Sequence, residues 1–204
     1  MHIIFEGPDG AGKSTLIEQV SSKLSGNILL VQQPGTTEAG KALRVILKGT
    51  IKISPMARQA MHMADTAEFC ASLDDYKKNY DYVIQDRTSF ISSPIYGKAE
   101  RGGCDYHIDW YKHIATPKAD RLFFIMSKRA EEQVRQRGDG DHFDNMGTSF
   151  HAKVYKEYLN FATDGQYSVY TDLVVDRKNL HVIQNDGSIE EATQDILRLI
   201  KSDF

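Results

Sequence analysis

The chain has 204 residues, 41% of them hydrophobic and 26% charged, enough to bury a sizeable core. A formal net charge of −3 and a pI near 6.2 exclude a general electrostatic pull toward nucleic acid and leave a local basic patch as the only such route. The N-terminus enters an apolar strand pattern directly instead of a secretory signal, no apolar run approaches membrane-spanning length, and Cys70 and Cys104 lack a C-x-x-C spacing, so a cytoplasmic setting with reduced, structural cysteines is expected.

Ile3-Ile4-Phe5 is predicted to be a buried strand. It leads into Gly7-Pro8-Asp9-Gly10-Ala11-Gly12-Lys13-Ser14, which fits the phosphate-loop pattern G-x-x-x-x-G-K-S/T. Such a loop presents several backbone N–H groups to a polyphosphate. Its glycines let the backbone curl and approach, Lys13 brings a charge to the β and γ phosphates, and the Ser14 hydroxyl suits Mg²⁺. Thr15 is a further candidate for a phosphate oxygen. Residues 14–24 continue as an amphipathic helix with Leu16, Ile17, Val20 and Leu24 as its stripe, so the positive end of the helix faces the phosphates.

A second strand is predicted over residues 28–32, followed by the turn Gln33-Pro34-Gly35-Thr36-Thr37 and a helix carrying Leu43, Ile46 and Leu47. Pro55 opens a long helix to about residue 76, with Ala57, Ala60, Met61, Ala64, Ala67 and Phe69 for burial. Its His62, Asp65, Thr66 and Glu68 face either a substrate cleft or solvent. Residues 82–87 form a strand that ends in Asp86-Arg87, at the carboxyl edge where open parallel sheets bind ligands. Asp86 is a candidate for the Mg²⁺ shell, directly or through water, and Arg87 for bidentate binding of an acceptor phosphate; the alternative is a salt bridge closing the strand.

Ser92-Ser93-Pro94 follows, then a helix near residues 109–115 with Trp110; His107 and His113 lack metal-ligand companions. Residues 121–126 are another buried strand. The next helix carries Arg129, Arg135 and Arg137 before Gly138-Asp139-Gly140-Asp141, a pattern that suits either a closing lid or a solvated cationic face pairing with Glu131 and Glu132. Phe150, Val154, Tyr155, Tyr158, Leu159 and Phe161 predict an aromatic-rich core helix whose tyrosines could also touch a ligand. Residues 168–175 read as extended, 180–183 as the last strand and 189–200 as a closing amphipathic helix. No linker, repeat or low-complexity tract divides the chain, so one domain over residues 1–204, with a lid at about 135–145, is expected.

Taken in order, Phe5-Glu6-Gly7, Pro34-Gly35-Thr36, Leu43-Arg44, Ala64-Asp65, Asp86-Arg87 with Ser92-Ser93, and Asp141-x-x-Asp144 resemble the thymidylate kinase family of P-loop nucleoside monophosphate kinases. The resemblance implies an α/β, three-layer P-loop NTPase-type fold, with a five-stranded parallel sheet flanked by helices. It also implies a homodimer that transfers the γ-phosphate of ATP to a deoxynucleoside monophosphate with Mg²⁺, and no stable nucleic-acid partner. By position, Gly7, Pro8, Asp9, Gly10, Ala11, Gly12, Lys13, Ser14 and Thr15 would hold ATP, with Asn185 near the adenine and Arg135 and Arg137 in the lid. Asp9, Arg44, His62, Thr66, Arg87 and Ser92 would hold the acceptor, and Ser14 and Asp86 the metal. Lys13, Arg87, Asp9, Arg135 and Arg137 form the expected catalytic set. Gly10 stands where some members carry an arginine, which leaves that charge to the lid.

Departures from the family pattern concentrate at the acceptor base. His62 stands for a stacking phenylalanine and Thr66 for a base-reading arginine. Gln32-Gln33 replaces Arg-Glu, Thr88 replaces a tyrosine, the double serine is displaced by one residue, and His142 and Asp144 replace the arginine and glutamate of the lid motif. The expected acceptor is dTMP first, with a modified pyrimidine or another base in range. The other readings are a kinase for a nucleoside or a modified base in DNA, and an ATP-binding regulatory module without transfer.

Overall fold

A computed structural model of the protein describes residues 1–49, 51–101, 106–114, 118–130, 132–133, 146–164 and 168–202. Five strands, β1 (His2–Glu6), β2 (Ile28–Gln32), β3 (Tyr82–Asp86), β4 (Arg121–Met126) and β5 (Leu180–Gln184), form one sheet in the order β2-β3-β1-β4-β5. Every pairing is parallel. The register sets Phe5 opposite Asp86 on one side and Phe123 on the other, which brings the carboxyl ends of β1 and β3 level. β1 and β4 are buried on both faces and read as continuous apolar runs, while edge strands β2 and β5 expose Leu30 and Val182.

The alternation of side chains along the central strands divides the core into two layers. Ile3, Phe5, Phe123 and Ile125 pack with Leu16, Ile17 and Val20 of α1 (Lys13–Lys23) and Ala192, Ile196, Leu197 and Ile200 of α8 (Ile189–Lys201). On the other face, Ile4, Leu122, Phe124 and Met126 pack with Phe69 and Leu73 of α3 (Pro55–Asn79), Ile91 and Ile95 of α4 (Ser89–Arg101), and Val154, Tyr158 and Phe161 of α6 (Thr148–Thr163). The result is helices on both faces of a parallel sheet, the three-layer α/β arrangement expected.

Local signals start α2, α3 and α8. Thr37 caps α2 (Glu38–Lys48) by accepting from Gly40 N at 3.0 Å. Ser54 caps α3 ahead of Pro55, and Ser188 with Glu191 forms a capping box on α8. Helix α1, like α6, lacks a side-chain cap, and its Ncap is Gly12 at φ 88. The first-turn N–H groups of α1 are thereby left for a ligand.

Four stretches differ from expectation. Residues 168–175 are not extended: α7 (Ser168–Val174) is a helix that buries Tyr170, Thr171 and Val174, with the Tyr170 ring 5.3 Å from that of Phe161. Its valines and tyrosine favour a strand intrinsically, but packing of one helical face overrides that preference, and only Val175 pairs, as a single bridge with Ala119. Residues 89–101 form α4 despite Pro94, and the short helix expected at 109–115 lies earlier, as α5 (Tyr106–Tyr111). On α3 the buried face is more polar than expected: Arg58, Gln59, Asp65 and Thr66 are buried, whereas Ala60 and Ala64 are exposed.

Gly7, at φ 144, lies where a Cβ would overlap the Ile125 carbonyl, whereas Gly147, ahead of α6, has nothing within 4 Å. Gly7→Ala should therefore cost about 2 kcal/mol or more in urea unfolding, and Gly147→Ala should stay within about 0.5 kcal/mol.

Candidate active site

At the carboxyl ends of β1 and β3 the chain opens a cavity of about 340 Å³. One wall is the loop, with Asp9, Gly10, Gly12, Lys13, Ser14 and Thr15. The others carry Gln32, Gln33 and Pro34 after β2, Arg44, Leu47 and Lys48 of α2, Gln59 and His62 of α3, Asp86 and Arg87 after β3, and Ser92, Ser93 and Tyr96 of α4. Most of the residues expected to bind nucleotide or acceptor thus share one space.

A buried charge cluster forms its floor. Glu6 ends β1 fully buried and accepts from Thr88 N at 2.6 Å, Gly7 N at 3.2 Å and the Tyr158 hydroxyl at 2.9 Å. Burial pushes its pKa up, and Arg87, 3.9 Å away, pulls it back. Arg87 is the chain's one described non-glycine residue at positive φ, 68°, a backbone state that costs about 1 to 3 kcal/mol and persists where surroundings over-determine it. Its guanidinium donates to Gly7 O at 2.9 Å, to the Tyr158 hydroxyl at 2.7 Å and to Asp9, and lies 5.5 Å from the centre of the Tyr96 ring. Tyr96 also donates to Asp9. Burial opposes the charge on Asp9, yet Arg87 and Lys13 outweigh it and hold that carboxyl well below the usual range. Two carboxylates and two cations therefore balance, as a desolvated charge cluster requires.

Lys13 turns back onto the loop and donates to Gly7 O and Pro8 O, each at 3.0 Å. Burial, reinforced by Arg87, brings its pKa down to about 8 against the opposing pull of Asp9, Asp86 and Glu6. Ser14 and Thr15 are exposed at the start of α1. Asp86 lines the cavity with Oδ1 buried and without a hydrogen-bond partner, an oxygen suited to a divalent cation. No group of three or more His, Cys, Asp or Glu among the described residues forms a metal cage. A cation here would rely on nucleotide phosphates for most of its shell, the usual habit of Mg²⁺.

On the acceptor side, Arg44 donates to Pro34 O at 2.6 Å, and Ser93 donates to Gln59. Thr66 is a correction to expectation. Expected among the acceptor-binding residues, it is fully buried, does not line the cavity, and its hydroxyl donates to His62 O at 2.8 Å. Asn185 lies behind the loop and donates to Ala11 O at 2.9 Å. Gly7, Pro8 and Ala11 shape the loop without lining the cavity. Arg135, Arg137, His142, Asp144, Cys104 and the lid at 135–145 lie outside the described residues. Glu6, Gln59 and Tyr96 were not singled out as site residues. Glu6 sits in the pattern Phe5-Glu6-Gly7, which was the signal for it, while nothing in the spacing of Gln59 or Tyr96 distinguishes them from packing residues.

Asp65 holds the turn after β2, accepting from Gly35 N at 2.9 Å and Gln33 Nε2 at 3.4 Å. Burial raises its pKa to about 6 against those hydrogen bonds. Buried His2 goes the other way, down to about 4.

The sequence matches the family model described as thymidylate kinase over residues 5–196. It is 34% identical to the thymidylate kinase of Campylobacter hominis over 163 residues, covering 76% of this chain and 83% of that protein. To the thymidylate kinase of Campylobacter concisus it is 32% identical, over 76% of this chain and 80% of the relative. A crystal structure of thymidylate kinase from Ehrlichia chaffeensis shares the fold, with a TM-score of 0.73 at 19% identity and 98% of each chain covered.

Two outcomes test this geometry. Lys13→Ala should lower turnover by about 10³-fold or more while leaving the circular dichroism spectrum unchanged; near-normal turnover would remove Lys13 from the site. Asp65 binds its proton more tightly folded than unfolded, so the stability it contributes is full below about pH 4 and falls by up to about 3 kcal/mol as pH rises through 6, while His2 acts in the opposite sense over that window. Asp65→Asn removes the first effect alone, so urea unfolding should show the variant gaining on the wild type from pH 4 to 6, and a difference flat with pH would contradict the assignment.

Proposed function

The chain belongs to the thymidylate kinase family, and on that premise we propose that it transfers the γ-phosphate of ATP to dTMP, giving the diphosphate and ADP. The observation that carries this reading is the single cavity walled by the phosphate loop on one side and by Arg44, His62, Arg87 and Ser92 on the other. Donor and acceptor phosphates bound to those walls meet in the same space. A pure nucleotide sensor needs no second set of phosphate-binding arginines, and no observation favours a nucleoside acceptor or a base within DNA.

In this reading an oxygen of the acceptor phosphate attacks the γ-phosphorus in line as the bond to the β-phosphate oxygen breaks. A phosphate monoester is already a nucleophile near neutral pH, so no protein base is required and positioning and charge dominate. Lys13 binds the β and γ phosphates, and the loop N–H groups with Ser14 and Thr15 take the remaining donor oxygens. Arg87 and Arg44 hold the acceptor phosphate, and Asp9 fixes Arg87. Arg135 and Arg137, outside the described residues, would supply further positive charge to the donor phosphates from the lid expected at about 135–145. Ser14 and Asp86, whose Oδ1 lacks a partner, would hold Mg²⁺, which neutralises charge on the donor phosphates when bound. His62 contributes to the base wall. No helix among the described residues is long and apolar enough to cross a membrane. We read the chain as one domain that works as a cytoplasmic homodimer.

The test is ADP production from Mg-ATP against a panel of deoxynucleoside and ribonucleoside monophosphates, with thymidine and duplex DNA as controls. dTMP should raise the rate by orders of magnitude over ATP alone. A panel in which no monophosphate does so would overturn the proposal.

A further inference from the structure

A run of buried hydrogen bonds lies behind the acceptor wall, outside the groups that touch the cavity's phosphate side. Gln85 in β3 is 1% exposed. Its Nε2 donates both hydrogens, one to Gln33 Oε1 at 3.0 Å and one to the Arg87 carbonyl at 2.8 Å, and its Oε1 faces His2 Nε2 at 2.7 Å. Gln33 Oε1 also accepts from Ser89 N at 3.3 Å, at the start of the helix that carries Ser92, Ser93 and Tyr96. Through its Nε2 it reaches Asp65, which in turn holds the Gly35 turn.

The donor pattern admits one orientation. Turning the Gln85 amide over would set its oxygen against two other acceptors, the Gln33 oxygen and the Arg87 carbonyl. His2 must then donate from Nε2, which makes Nδ1, a buried nitrogen without a partner, the unprotonated one. Val83 and Ile84 precede Gln85 in the same strand, and an apolar side chain would pack at 85 without desolvating an amide. What the amide adds is a fixed bond to the carbonyl of Arg87, whose backbone is left-handed and whose N–H is tied to Phe5 O at 2.9 Å. With both backbone groups held, the guanidinium is aimed at Asp9 and the cavity.

We infer that Gln85, oriented by His2 and Gln33, is a positioning residue that sets the direction of Arg87 toward the acceptor phosphate. The inference rests on Arg87 as the acceptor clamp in the function proposed above. Because Gln85 acts through Arg87, its loss must be felt by a ligand that carries a phosphate and not by the same ligand without one.

The experiment is calorimetric titration of the full chain with dTMP, thymidine and ATP, for the wild type and for Gln85→Met. The variant should bind dTMP roughly tenfold more weakly and bind thymidine and ATP within about twofold of the wild type. A merely structural role would reduce the active fraction and leave all three affinities alone. That result, or equal weakening of dTMP and thymidine, overturns the inference. Should Gln85→Met fold poorly, Gln85→Glu keeps the length and an oxygen toward His2 but opposes the Arg87 carbonyl with an acceptor, and carries the same expectation. The wild type separates the two levels: no preference for dTMP over thymidine there would overturn the acceptor reading itself, whereas an intact preference unchanged by the variants would overturn the role of Gln85 alone.

Discussion

The pairing of Arg87 with the buried carboxylate of Glu6 and the half-buried one of Asp9 is the constraint on which the site depends. Glu6 ends the central strand and Arg87 follows its neighbour, so the pair joins β1 to β3 at their carboxyl edge, and Asp9 extends the tie into the phosphate loop. A carboxylate with no exposure to solvent is unfavourable unless its charge and lone pairs are met. Here Thr88 N, Gly7 N and Tyr158 meet the lone pairs while Arg87 and Lys13 meet the charge. The loop, the turn after β3 and helix α6 are thereby fixed to one group. The same cations are the ones a phosphate would recruit, so structural neutrality and ligand affinity draw on the same charges.

That economy suits a reaction in which the reactants supply the chemistry. Lys13 rests on the Gly7 and Pro8 carbonyls, and Arg87 rests on Asp9 and two tyrosines. Neither dangles in solvent, so ligand binding exchanges one set of partners for another and avoids ordering a free side chain. Preorganised charge of this kind is where electrostatic catalysis gains most, since little reorganisation remains at the moment of transfer.

Much of this was legible in the residues, and the reasons differ from place to place. The strand, loop and helix around Gly7 to Ser14 declare themselves because phosphate binding demands glycine, lysine and serine at fixed offsets. The Leu122-to-Met126 stretch of β4 is an unbroken apolar run because both its faces are covered. By contrast, α7 could not be read, since Val169, Tyr170 and Val174 favour an extended chain and only the core that Tyr170 and Val174 meet in space decides otherwise. Alignment of Ala64-Asp65 with the family pattern sets Thr66 at the acceptor base, but on α3 it is fully buried and does not line the cavity. Gln33 and Gln85 are 52 positions apart and meet only through the parallel register of β2 and β3. No local pattern announces such a pair, and each alone is an ordinary polar residue beside a turn.

The strand order has a consequence for how the chain is made. β1 is the middle of the sheet yet comes first in the sequence, and its partners are β3, with Val83 opposite His2, and β4, with Arg121 opposite Ile3. At about 5 to 20 residues per second, Ile3-Ile4-Phe5 waits roughly 4 to 16 s for its first neighbour and longer for its second. During synthesis the central strand of the sheet is thus the one left longest without strand partners, and its shelter in that interval comes from helix α1 and, once residue 79 is made, from α3.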